Sequence, residues 1–269
     1  MDNKIKYIIV AVTNRCNLHC KMCTIWAEPE KWDLDHQTFK KIFDSKYLDD
    51  NFALTLTGGE PFLSKEFDNI IKTIISERPE SLKTISTNGV LTNKILEFLE
   101  KYGSKLPNLS LSISLDGINT HDLQRGRSKE DILGTINLVR QKFPKMKIKI
   151  KFTITPINYK DIIPTYEFCR KMKVVFKVKI SESAENYTNK LRTWNPTWSK
   201  EMKDSIRKDL MIVKKGFMKS DKAGANFVKR TIGLLDGKVH LKECRAPFER
   251  VFIMPDAKNS WFGSDGIWI

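Results

Sequence analysis

"KYIIVAVTNRCNLHCKMCTIW", residues 6–26, runs apolar from Tyr7 to Val12 and then carries Cys16, Cys20 and Cys23, three of the chain's five cysteines. The run at 6–12 is rich in β-branched residues and reads as a strand. Its end passes directly into ligand-type chemistry, which raises the question of what stands at the ends of the other strands.

Five more β-rich runs follow, at 52–57, 82–86, 109–115, 147–155 and 174–180. Amphipathic helical patterns separate them, at 38–45, 67–76, 93–102, 131–143 and 162–172. Ser64 and Ser128 read as N-caps, with Asp131 in capping-box position after Ser128. Strands that alternate with helices form parallel sheets with right-handed crossovers. Six such units are too few to close an eight-fold barrel. The expected fold is therefore α/β, an open partial (βα)6 TIM-like barrel with a parallel sheet and a small C-terminal extension.

In such a sheet the carboxyl ends of the strands share one rim, and ligands bind there. "TGGEPF" follows the second strand, "STNG" the third, "SLDG" the fourth and "TPIN" the fifth. Together with the cysteines, these loops converge on one mouth. A lone Gly-rich turn would carry little weight, because loops must turn. Their joint placement behind a cysteine triad is harder to ascribe to turn chemistry.

Composition bounds the reading. With 269 residues and 41% hydrophobic content the chain can bury a large core. No apolar stretch reaches membrane-spanning length, and the N-terminal run is too short for a signal-peptide core, so a cytoplasmic protein without a membrane partner is expected. Clustered cysteines in a reducing compartment favour metal or redox chemistry over disulfides. The net charge of +15 would suit a polyanion. Much of the excess is lysine alternating with apolar residues, as in "KIKIKF" and "VVFKVKI", a pattern that reads first as a solvated face. An acidic or phosphorylated substrate stays open.

Three thiols leave a tetrahedral ion one ligand short. A structural zinc site closes all four positions, and here the fourth candidate is His19 or a distant residue. Three thiolates also suit an iron–sulfur cluster with one iron lacking a protein ligand, although four cysteines are usual. The cysteine positions alone leave zinc and iron–sulfur open.

The spacing Cys-x3-Cys-x2-Cys at Cys16, Cys20 and Cys23, with "GGEP" after the next strand, resembles the radical S-adenosylmethionine (SAM) superfamily. The likeness extends over roughly residues 6–180. It implies a [4Fe–4S] cluster on the three cysteines, with SAM filling the vacant iron through its amino and carboxylate groups. Reductive cleavage of SAM would yield a 5′-deoxyadenosyl radical that takes hydrogen from an organic substrate. By the same likeness Gly58, Gly59, Glu60 and Pro61 would receive the SAM amino group. Ser114 would contact SAM, and Arg125 would hold its carboxylate, with Arg127 as the substitute. Asn88 and Gly89 would lie near the ribose. Met22 stands where relatives often carry an aromatic residue against adenine. Trp26 and Trp32 would anchor the cysteine loop or screen it from water.

"CRAPFERVFIMPDAK", from Cys244, resembles the opening of a SPASM or twitch extension, but no cysteine follows it. Cys169 lies in a helical pattern, where a free cysteine is usually a small buried apolar group, and His240 makes a weak partner for Cys244. The resemblance divides the chain into a radical SAM partial barrel at 1–215 and a helical or cap extension at 216–269, incomplete and without a second cluster. Expected partners are a peptide or carbohydrate-like small molecule and an external electron donor. A tRNA-modifying enzyme, suggested by the basic charge, and a non-catalytic iron–sulfur protein are the alternatives.

Overall fold

The computed structural model describes residues 4–181, 194–218, 221–237, 249–256 and 259–260. His240, Cys244 and the beginning of the motif that Cys244 opens lie outside these residues. All six anticipated strands are present: β1 (Ile5–Ala11), β2 (Leu48–Thr57), β3 (Leu82–Thr87), β4 (Ser110–Ser114), β5 (Lys147–Ile154) and β6 (Val175–Ile180). The helices between them are α1 (His36–Phe43), α2 (Phe67–Glu77), α3 (Thr92–Tyr102), the short α4 (His121–Arg125), α5 (Lys129–Lys142) and α6 (Ile162–Lys171). Two further helices, α7 (Lys200–Met218) and α8 (Lys222–Leu235), precede β7 (Arg250–Ile253) and β8 (Asn259–Ser260).

The strands form one sheet in the order β6-β5-β4-β3-β2-β1-β7-β8. The first seven in sequence are parallel, and only β8 runs antiparallel to its neighbour β7. The result is an open half-barrel. β7 is a strand that the sequence reading did not separate from its motif. It pairs with β1 through Tyr7–Arg250 to Val10–Ile253, so the region after residue 216 is not all helical. Beside this pairing Phe252 packs with Ala11 in a small apolar cluster, flanked by Ile9 and Met254. At the other end of the sheet, α7 and α8 pack on each other and against α6 and β6.

Alternation along the strands explains the layering. Ile148, Ile150 and Phe152 of β5, and Phe176 and Val178 of β6, are buried with Ile136 and Val139 of α5 and Ile162 and Cys169 of α6. Each buried aliphatic or aromatic side chain contributes about 1.5–3 kcal/mol relative to exposure. The intervening residues necessarily point to the other, inner face.

One of the two expected caps is present and the other is displaced. Ser128 caps α5, its Oγ accepting from the Glu130 N–H. Asp131 does not complete a capping box: its carboxylate accepts from Arg127 Nε at 2.6 Å, a charged partner that outcompetes a neutral N–H. Ser64 accepts from the Glu66 N–H one step early, and α2 begins after Glu66 without a side-chain cap.

Candidate functional site

The site begins where β1 ends. Beyond it the chain is pinned against the loop after β2 by backbone bonds, Gly59 N–H to Thr13 O at 2.8 Å and Glu60 N–H to Arg15 O at 2.7 Å. This contact, rather than turning, accounts for both glycines. A Cβ on Gly58 would lie 2.2 Å from Thr13 O, and one on Gly59 2.2 Å from Arg15 O. Gly58 also has φ +136°, a conformation reserved for glycine. The cysteine loop is thus seated directly on the Gly-Gly segment.

Further bonds brace the loop. The Asn14 side chain donates to Glu30 O and accepts from the Trp32 N–H. Arg15 Nε donates to Asp33 at 2.9 Å, which holds the Asp33 carboxyl below its ordinary range despite the opposing pull of burial. Trp26 Nε1 donates to Cys23 O, and its ring lies 4.5 Å from that of His19. Both tryptophans therefore brace the loop, Trp26 through its indole and Trp32 through its backbone, while the Trp32 ring is largely exposed. His19 packs on Trp26 from an exposed position.

Glu60 is fully buried and ties three loops together. Its Oε1 accepts from Thr87 Oγ1 at 2.8 Å and its Oε2 from the Asn88 N–H at 2.7 Å. Burial raises its carboxyl to about 7, against the opposing effect of these donors. Asn88 Nδ2 donates to Asn17 Oδ1 at 2.8 Å, inside the cysteine loop. Gly89 has φ +79°. Pro61 is buried and opens the 3-10 turn Pro61–Leu63.

Arg125 approaches from the opposite side, at the end of α4. Its Nη1 donates to Cys20 Sγ at 3.7 Å and its Nε to Asp116 Oδ2 at 2.7 Å. Burial alone would lower the guanidinium, but Asp116 and the cysteine sulfurs together hold it above its ordinary value. Arg127 points elsewhere, to Asp131. Asp116 of "SLDG" is a site residue that the motifs alone do not single out. It is fully buried, and its Oδ1 accepts from the Thr153 N–H at 2.7 Å. A carboxylate after one strand and an arginine nine residues on, across a helical turn, was the available signal. The adjoining His121 accepts from the Asp116 N–H through Nδ1, and burial lowers its imidazolium to about 4, so the ring is neutral. His121 Nε2 and Gln124 Nε2 are buried with no partner among the described residues. The Gln124 carbonyl accepts from the Lys21 N–H, locking α4 to the cysteine loop.

Burial raises all three thiols, Cys16 to about 12. Without a cation they would carry their protons; as metal ligands they must lose them. Among the described residues only Asp35, His36 and Glu66 bring three candidate ligand atoms within 4.8 Å of one another. Three cysteine sulfurs on one loop, with the Arg125 guanidinium against one of them, are a donor set that an iron–sulfur cluster could use. Cys169 stands apart, on the buried face of α6 in the core. Met22 and Ser114 are half-buried at the same mouth, and Ser114 pairs in register with Lys151 of β5.

The lysines overturn one expectation. Lys149, Lys151, Lys177 and Lys179 do not form an open solvated face: they line the inner side of β5 and β6, opposite the apolar core. Lys151 is half-buried, and burial together with Lys179 and Arg125 lowers its ammonium to about 7.

The radical SAM superfamily matches residues 10–169. A GTP 3′,8-cyclase from Aliarcobacter butzleri (strain RM4018) is 29% identical over 192 residues, 68% of this chain and 57% of the cyclase. A probable GTP 3′,8-cyclase from Methanocaldococcus jannaschii is 26% identical, over 65% of this chain and 58% of its own length. The chain thus spans less than two thirds of these curated relatives. Among solved structures, Streptococcus suis SuiB bound to S-adenosylmethionine superposes with a TM-score of 0.70 at 17% identity, over 96% of this chain and 60% of SuiB. The anSMEcpe structure with bound AdoMet and Cp18Cys peptide gives 0.67 at 14% identity, over 97% and 74%. These likenesses establish the same fold.

Proposed function

Because the chain belongs to the radical SAM superfamily, whose cofactors are a [4Fe–4S] cluster and SAM, we propose that Cys16, Cys20 and Cys23 hold the cluster and that Glu60 and Arg125 bind SAM beside it. When bound, the pair supplies a 5′-deoxyadenosyl radical that takes hydrogen from an organic substrate, after an external donor has provided an electron. The observation that carries the reading is the meeting of Arg125 Nη1 and Cys20 Sγ at 3.7 Å, with Glu60 hydrogen-bonded beside the same loop.

The chain's own residues do the positioning. Glu60 is acceptor-only once ionised, and an ammonium beside it favours that form. Arg125 has one edge committed to Asp116 and presents N–H groups from its other edge to a carboxylate. Ser114, Asn88 and Met22 offer hydroxyl, amide and apolar contacts to the remaining parts of the nucleoside. Residues 1–215 form the catalytic barrel in this reading, and 216–269 an incomplete SPASM- or twitch-like extension. The substrate is a peptide or a carbohydrate-like small molecule. A nucleotide is the second reading, supported by relatives named for GTP and by the inward lysines.

The test is anaerobic reconstitution, reduction, and assay of 5′-deoxyadenosine. Production by the wild type and its loss in Cys20→Ala support the assignment. Equal traces from both contradict it.

A further inference from the structure

The loop after β5 carries three buried polar side chains, Thr155, Asn158 and Asp161, the first two with no exposure at all. The β4–β5 ladder ends with Ser114 opposite Lys151 and with the Leu115 N–H on Lys151 O at 3.1 Å. Past that point side chains join the two strand ends. Asn158 Nδ2 donates to Asp116 O at 3.1 Å and to Thr153 O at 2.9 Å, and its Oδ1 accepts from the Thr155 N–H at 2.7 Å. Both donors and the acceptor of this buried amide are thus engaged, as burial requires.

The bonds lead in one direction. Thr153 donates its N–H to Asp116 Oδ1 at 2.7 Å, and Asp116 Oδ2 accepts from Arg125 Nε at 2.7 Å. Asn158 therefore grips the backbone of Asp116 and that of Thr153, the residue whose N–H holds the Asp116 carboxylate. A shift of either strand end would swing the carboxylate, and Arg125 with it. Asp161 steadies the other end of the same unit. Its carboxylate accepts from the N–H groups of Asn119 and Thr120, at 2.7 and 2.9 Å, and from both of their side chains. Those residues lead into α4, at whose end Arg125 stands. A buried polar network is costly unless complete, and an apolar filling would serve packing alone. Among the described residues the Asn158 side chain bonds only to the ends of β4 and β5 and to its own loop, so its action on a ligand is indirect.

Building on the radical SAM reading, we infer that Asn158 is a positioning residue for SAM: it aligns the Asp116 carboxylate, which aims the Arg125 guanidinium at the SAM carboxylate. The loop after β5 thereby takes part in cofactor binding without touching the cofactor. The effect of Asn158 on SAM passes through Arg125 and vanishes where the guanidinium is gone. General damage to the barrel would persist there.

The test is a double-mutant cycle on the full chain, reconstituted anaerobically with iron and sulfide. Equilibrium dialysis reads SAM affinity, and iron content is measured on the same samples. Asn158→Ala should take up iron as the wild type does and bind SAM roughly tenfold more weakly. In the Arg125→Gln background the same substitution should change the affinity by no more than about twofold. Asn158→Asp, which keeps the shape but not the amide donors, should follow Asn158→Ala, and it takes that variant's place if the alanine protein takes up no iron. Asn158 variants that bind SAM as tightly as the wild type overturn the inference. So does an equal loss in both backgrounds, the mark of damage not routed through Arg125. Failure of both variants to take up iron assigns Asn158 to folding and overturns it as well. Wild-type protein that takes up no iron, or takes up iron yet binds no SAM, instead overturns the parent reading.

Discussion

Asp116 sets the direction of Arg125, and it shows how a buried ion pair serves a site. The pair lies almost wholly out of water, with Asp116 fully buried and its second oxygen on a β5 backbone N–H. Removing one partner of such a pair strands the other charge, at a cost of about 3–5 kcal/mol. Asp116→Ala should lose stability of that order in denaturant titration and weaken SAM binding by roughly tenfold to a hundredfold. Asp116→Asn, which retains the shape, should lose less stability while still weakening SAM binding. Lys151 yields a pH prediction at the same scale. The unfolded chain keeps this proton up to its ordinary value of 10.5, and the folded chain releases it near 7. Between those values folding releases a proton, so this group makes the folded state relatively more stable as pH rises from 7 toward 10.5. Thermal melts across that range should show this contribution in the wild type, and Lys151→Met should remove it.

The cysteine loop and the Gly-Gly segment behave as one element, because two backbone hydrogen bonds and two missing Cβ atoms join them. Gly59→Ala places a methyl 2.2 Å from a backbone oxygen, which no side-chain rotation relieves. Stability should fall by about 1–3 kcal/mol, and iron content after reconstitution should fall with it. What the sequence made legible follows from which rules are local. The six strands were readable because alternation and β-branching are local, and Ser128 because a cap is decided within three residues. Gly58 and Gly59 were readable as important, but their contact with Thr13 and Arg15 depends on pairing between distant segments. Asp131 was misread because the competing arginine lies one position before the cap. The lysines were misread for a more general reason. Period-two alternation separates two faces of a strand, but it does not say whether the polar face meets open solvent or the hollow of a curved sheet.

At the scale of the whole molecule, the sheet joins both ends of the described chain. β1 is flanked by β2 and β7, so it is interior rather than an edge, and Phe252 covers Ala11 on that side. Phe252→Ala should cost about 3 kcal/mol by cavity formation, read as a lower denaturation midpoint. No helix of the described residues is long and apolar enough to cross a membrane. The sheet brings five strand ends to one rim, and its open hollow lies beneath them, lined by lysines on β5 and β6. The central claim concerns the rim: the cysteine sulfurs hold a cluster with one iron left open for SAM. The most direct measurement is the electron paramagnetic resonance spectrum of the reduced, reconstituted protein before and after SAM is added. A cluster with an open iron beside Glu60 and Arg125 predicts a changed spectrum, with the change lost in Asp116→Ala at limiting SAM. A cluster signal that saturating SAM leaves untouched would contradict the account.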